Sequence, residues 1–142
     1  MNLVKTKISK NIGIIKRLQK NLPNYVLLML CNTLVHPYLD YCNIVWACEC
    51  NTRTSLLLKI QKKAIRIITK SAWNCHSPPL FNSLQILNVF DINRSQTGCF
   101  VYKSLNGLLP CNFEEYFVQN CAMHNYDTRS HSCLHMFYHR TK

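Results

Sequence analysis

Residues 56–70, LLLKIQKKAIRIITK, repeat their apolar side chains at three- and four-residue steps, a spacing that leaves few structures open. At about 100° per residue, the turn of an α-helix, Leu57, Ile60, Ala64, Ile67 and Ile68 gather on one side. Lys59, Lys62, Lys63, Arg66 and Lys70 fall within an opposite arc of roughly 100°. Such a helix can bury one face in a core and hold five cations toward a polyanion. Basic helix faces also serve simply as solvated surface, and charge alone does not separate the two uses.

The rest of the chain keeps the helical rhythm. Glycine is scarce at three, proline stands at five, and strand-like alternation is nearly absent. The expected fold is all-α, a small bundle of five to seven helices over residues 1–118, followed by an irregular tail over 119–142. A first helix is expected over about residues 3–20, with Val4, Ile8, Ile12, Ile15 and Leu18 inward. Lys16, Arg17 and Lys20 crowd its last turn, where cations suit the helix dipole. Leu22-Pro23 stops it, and Pro23 with Asn24 can open a second helix that points Leu27, Leu30, Cys31 and Leu34 inward.

Pro37 kinks or ends that second helix. One segment over about residues 38–46 should then pack through Tyr38, Tyr41, Val45 and Trp46, with Asn43 turned inward. Residues 47–52 read as a loop, and Thr52 or Thr54 as the cap of the basic helix. Residues 73–79 read as a second loop broken by Pro78-Pro79. A short helix over residues 80–87 should bury Leu80, Phe81, Leu84 and Leu87. Asp91 reads as the N-cap of a helix that stops near Asn106-Gly107 in a Schellman-like turn. Ile92, Cys99, Phe100 and Leu105 form its apolar side, and Gly98 is expected to admit a close neighbour. Asn112 can cap a last short helix through Phe117, after which the apolar pattern fades.

At 142 residues with 48% apolar content, the chain has room for one domain with a modest core. Lysine and arginine number 17 against 6 acids, a net charge of +11. Residues 1–70 carry 12 of the basic residues and 2 of the acids, so nearly all the excess lies in that half. A nucleic acid backbone or an anionic membrane surface would both fit that field. The longest apolar run, residues 25–31, is far short of the roughly 20 residues needed to span a bilayer. No secretory signal is visible at the N-terminus, so an intracellular protein of nucleus or cytoplasm is expected, with no membrane partner. Its nine cysteines, odd in number and irregular in spacing, then read as reduced thiols, many of them small buried hydrophobes.

Longer words surround the basic helix: TLVHPYLDYCNIVW at residues 33–46, KIQKKAIRIIT at 59–69, HSPPLFNSLQIL at 76–87 and FDINRSQ at 90–96. FVYKSLNGLLPCNFEEYF at 100–117 and HNYDTR at 124–129 follow. In this order and at this spacing, over roughly residues 7–129, the chain resembles the region after the palm in reverse transcriptases of jockey-like non-LTR (LINE-type) retrotransposons. The resemblance implies a thumb-like helical module that grips a template–primer duplex, RNA–DNA or DNA, through its phosphates. Phosphate contacts give affinity and register without reading sequence, which suits an enzyme that copies any template. The basic helix face and this resemblance together point to Lys59, Lys62, Lys63, Arg66 and Lys70 as the site residues, with Lys16, Arg17 and Lys20 added by their charge.

The parent family is an RNA-directed DNA polymerase, whose chemistry needs paired aspartates holding two divalent metal ions, in all expectation magnesium. The family's Tyr-x-Asp-Asp turn has no counterpart here. Glu114 and Glu115 are adjacent, so on a helix they point about 100° apart, and Asp40, Glu49, Asp91 and Asp127 are scattered singly. No catalytic residue and no cofactor is therefore expected in this chain, and its expected partners are the duplex and the palm of the parent polymerase. The family's later Gly-Pro-x-x-Trp-Asn-like word is also missing, as in a truncated copy.

Two alternatives stay open. One is a degenerate retroelement remnant without activity. The other is a small zinc-stabilised interaction domain, with Cys121-x2-His124 and His135-x3-His139 as its ligand pairs and His131 and Cys133 nearby. Cys42, Cys48 and Cys50 are a weaker set. Tyr126, Thr128 and Arg129 read either as a surface clamp or as a structural turn. Nucleophilic catalysis has little support: Cys75 and His76 are sequence neighbours facing different ways, and no Gly-rich phosphate loop or Ser-His-Asp order occurs.

Overall fold

The computed structural model describes residues 2–47, 51–110, 113, 117–124, 126 and 129–135. Apolar residues at helical spacing produce helices α1 (Asn2–Leu18), α2 (Asn24–Leu34), α3 (His36–Asp40), α4 (Asn43–Ala47) and α5 (Asn51–Ile68). They are followed by α6 (Ser77–Leu84), α7 (Val89–Leu105) and α8 (Asn120–Met123), the last a single turn. Among the described residues there is no strand, only a lone bridge between Gln119 and Leu134. The all-α bundle expected from the spacing is what forms. No helix among the described residues is long and apolar enough to cross a membrane.

The chain divides into two compact units, Met1–Gln96 and Thr97–Lys142. In the first, α1 packs against α2 and α5, and α5 is also flanked by α2, α4 and α6. Ile8, Ile12 and Ile15 of α1 meet Leu27 and Cys31 of α2, Leu57, Ala64, Ile67 and Ile68 of α5, and Val89 and Ile92 of α7 in one core. Val4, Leu18, Leu30 and Ile60 pack at its edge, as their positions predict. Polar cross-links seal the seams. Asn11 Nδ2 donates to Leu34 O (2.6 Å), and Gln96 Nε2 to Asp40 O (3.1 Å).

Element ends depart from the sequence reading in five places, each for a local reason. The segment expected over residues 38–46 is two short helices, because Cys42 takes a left-handed conformation (φ 50°) that breaks the run. The break turns Tyr41 and Val45 out, leaving them 79% and 72% exposed, while Tyr38 and Trp46 pack on the core. Asn43 does turn inward and donates to Leu39 O at 2.7 Å. Thr52 and Thr54 do not cap α5, which already runs from Asn51; Thr54 is buried and its hydroxyl reaches Ala47 O at 3.4 Å.

Pro78-Pro79 opens α6 rather than breaking a loop, since proline in a first helical turn forfeits no intrahelical bond. The helix therefore ends earlier, at Leu84, and Leu87 lies outside it and half exposed while Phe81 is buried. Asn88, not Asp91, caps α7. Its Oδ1 accepts from the amides of Phe90 (2.9 Å) and Asp91 (3.1 Å), and its Nδ2 donates back to the Asp91 carboxylate.

The expected stop at Gly107 is present. Gly107 is left-handed (φ 62°), and the amides of Gly107 and Leu108 reach back to Ser104 O (3.1 Å) and Lys103 O (2.8 Å). A Cβ on Gly98 would meet nothing within 4 Å among the described residues, so that glycine admits no close neighbour.

In the second unit, Phe100 stacks edge-on against Phe113 (5.6 Å) and Phe117 (5.7 Å). Cys99 and Leu105 are exposed rather than apolar packing. The described residues beyond Val118 form turns and α8, tied by Asn120 N to Cys133 O (2.9 Å) and His135 N to Val118 O (2.7 Å). Asn112 and most of the short helix expected after it lie outside the described residues.

Candidate nucleic-acid interface

Helix α5 sorts its side chains largely as the spacing demands. Leu57, Ala64, Ile67 and Ile68 are buried, and Ile65 and Gln61 join them, so the covered arc is wider than the apolar stripe. That widening divides the five cations. Lys59 and Lys63 remain on the open face with Leu56. Lys62 and Arg66 sit at its margins, half-buried.

Lys70 is not on the helix. It adopts the left-handed conformation (φ 55°) that closes α5, with its amide on Ile67 O (3.2 Å) and the Ser71 amide on Arg66 O (3.0 Å). The expectation of five cations on one helical arc is corrected to that extent.

What the sequence could only suggest, a joint surface with α1, is built by one bond and one groove. Gln19 Nε2 donates to Ile67 O at 2.9 Å, fastening the end of α1 to the end of α5 across 48 residues of chain. Lys16, Gln19, Lys63, Arg66, Ile67 and Trp73 line the resulting open groove of about 440 Å³. Lys16 and Arg66 each lie in the last turn of their helix, where the carbonyl ends favour positive charge. Arg17 and Lys20 are exposed near the same end of α1 but do not line the groove.

Arg66 has a structural task as well. Its Nε and Nη2 both donate to Cys75 O, at 3.2 and 3.0 Å, so part of the guanidinium is occupied in holding the loop after α5. Lys62 faces a different hollow, lined also by Leu58, Phe81, Phe90 and Arg94.

No acid among the described residues offsets the field in the α1–α5 groove. Among the described residues the acids are Asp40 and Asp91, and both are engaged elsewhere: Asp40 with His36 at 2.7 Å, Asp91 with Arg94 at 3.9 Å. None of Lys16, Lys63 and Arg66 has a carboxylate partner among these residues. Trp73, 86% exposed at the rim, belongs to the same groove. The sequence reading missed it, although a tryptophan in a polar loop just past a basic helix was the available signal.

The proposed zinc ligands are only partly placed. His124 and His135 rings approach with centroids 6.1 Å apart, while His139 lies outside the described residues. Among the described residues no three His, Cys, Asp or Glu side chains gather as metal ligands would. Tyr126 is exposed, and Thr128 lies outside the described residues. No protein-family model, curated protein or solved structure matches the chain.

Proposed function

We propose that this chain is a thumb-like module of a jockey-like non-LTR retrotransposon reverse transcriptase and that it holds template–primer duplex by its phosphates. The observation that carries the reading is the groove in which α1 supplies Lys16 and α5 supplies Lys63 and Arg66, with no acid among the described residues to quench them. The order of sequence words from residue 33 to residue 129 supports the parentage. Cations set on rigid helix ends displace condensed counterions from a duplex, so the binding is entropic, salt-dependent and blind to sequence. With no paired aspartates in the chain, the module contributes grip and leaves nucleotide transfer to a palm. The same reading makes its site of action intracellular, in nucleus or cytoplasm.

The test is anisotropy of a labelled blunt RNA–DNA or DNA duplex against salt, from about 50 to 200 mM. Lys16→Gln with Lys63→Gln removes two groove cations without touching Arg66, whose loss would also release the Cys75 carbonyl. The slope of log affinity on log salt should fall by about 1.8, roughly 0.9 for each phosphate that is no longer neutralised. Lys5→Gln with Lys10→Gln, the same charge change elsewhere on exposed α1 positions, should alter it far less. Equal effects from the two pairs, or no salt-dependent binding by the native chain, refute the proposal.

A further inference from the structure

We propose that Trp73 is a stacking platform for an unpaired base, so that the α1–α5 groove takes single-stranded nucleic acid running off the end of a duplex. This rests on the duplex-gripping reading and adds a ligand class to it. Trp73 is 86% exposed, yet its backbone is fastened on both sides. On one side the Ser71 amide bonds Arg66 O (3.0 Å) and the Ser71 hydroxyl meets Thr69 Oγ1 (2.8 Å). On the other the Cys75 amide closes a turn onto Ala72 O (3.1 Å), while Arg66 holds Cys75 O with two bonds. Trp73 and Asn74 form the tip of that turn. The loop backbone is thus fixed while the indole stands without a cover among the described residues, so a ligand need order only the side chain and not the loop.

The surroundings select the ligand. Bases inside a duplex already stack on one another, and an exposed indole reaches only a terminal or unpaired base. A neighbouring nucleotide then needs a cation within one phosphate step, and Lys16 and Lys63 line the same groove as the indole. At about 440 Å³ the groove falls in the range of sites that hold small molecules. An aromatic plate flanked by cations is the arrangement by which single strands are bound without sequence preference. Trp46 is a different tryptophan: its Nε1 donates to Tyr41 O (2.8 Å) and its ring packs on the core.

The experiment compares a blunt duplex with the same duplex carrying a single-stranded extension of about five nucleotides. The native chain should prefer the extended duplex by about fivefold or more. Trp73→Ala should bring the ratio of extended-duplex to blunt-duplex affinity to about one with the melting temperature unchanged, and Trp73→Phe should keep most of the preference. The extended duplex should quench tryptophan emission in the native chain but not in Trp73→Phe, where Trp46 alone reports. Blunt duplex bound with no gain from the extension overturns this inference and leaves the duplex reading standing. A preference that survives Trp73→Ala overturns it as well. If neither duplex is bound, both readings fall together.

Discussion

Gln61 is the buried polar residue on which the joint between α5, α6 and α7 turns. It is 3% exposed; its Nε2 donates to Leu87 O at 2.9 Å and its Oε1 accepts from Val89 N at 3.0 Å. Val89 is the first residue of α7, so its amide has no partner within the helix, and it is fully buried. Replacing Gln61 by Leu keeps the volume nearly constant and deletes both bonds. The stranded Val89 amide should cost about 1–3 kcal/mol and the Leu87 carbonyl, nearer solvent, about 0.5–1.5 kcal/mol. The sum is about 1.5–4.5 kcal/mol, a large share of the roughly 5–15 kcal/mol that holds a domain together. With a urea slope of about 2 kcal/mol/M, the unfolding midpoint followed by circular dichroism should drop by about 1–2 M. Gln61→Glu keeps an acceptor for Val89 but buries a charge and loses the donor to Leu87. Its deficit should therefore shrink as the pH is lowered and the carboxyl takes up a proton. A Gln61→Leu midpoint within about 0.3 M of the native value would mean the two bonds do not hold this joint, and the reasoning would be wrong.

Two further outcomes follow from single positions. Lys70 and Gln85 occupy left-handed turns at φ 55° and 53°, where an L side chain costs about 1 kcal/mol; Lys70→Gly and Gln85→Gly should each raise stability by about 0.5–1 kcal/mol in thermal melts. A loss at both positions would contradict the backbone described. Burial in the core pushes the Cys31 thiol from 9.0 up to about 11. Between those values the folded chain keeps a proton that the unfolded chain sheds. The contribution is thus whole below about pH 9 and disappears as pH rises toward about 11. Cys31→Ala should lose less stability than the native chain between pH 8 and pH 10.5, by urea midpoint; parallel losses would refute it.

The helices were legible because their apolar residues recur with one period, and Ile8, Ile12, Ile15, Leu27, Leu57 and Ile68 are buried as that period requires. Their ends were less so. Gly107 announced its turn because glycine alone adopts positive φ without strain, whereas Lys70 and Gln85 make the same turn with residues that carry no such signal. Asn88 and Asp91 are both competent caps three residues apart, and which one serves depends on Gln61 receiving the Val89 amide from another helix. Cys42 breaks a helix that its neighbours favour, and the sequence offers no residue that marks the break. At the candidate interface, single-helix geometry brought Lys59 and Lys63 together. It could not show that Lys62 turns to a separate hollow, or that Arg66 is half occupied by a carbonyl nine residues on. The groove with Lys16 depends on a contact spanning 48 residues, which no local pattern contains.

That span has a consequence for how the chain is made. Synthesis at roughly 5–20 residues per second puts α5 about 2–10 s behind α1, so Ile8, Ile12 and Ile15 emerge from the ribosome well before a helix that shares their core. Leu27 and Cys31 of α2, with Val35 and Leu39 just after them, are the described core residues made in the interval. The exposed Lys5, Lys7, Lys10 and Lys16 of α1 give that early helix a like charge in every copy, which opposes association between nascent chains whatever the lysines later hold.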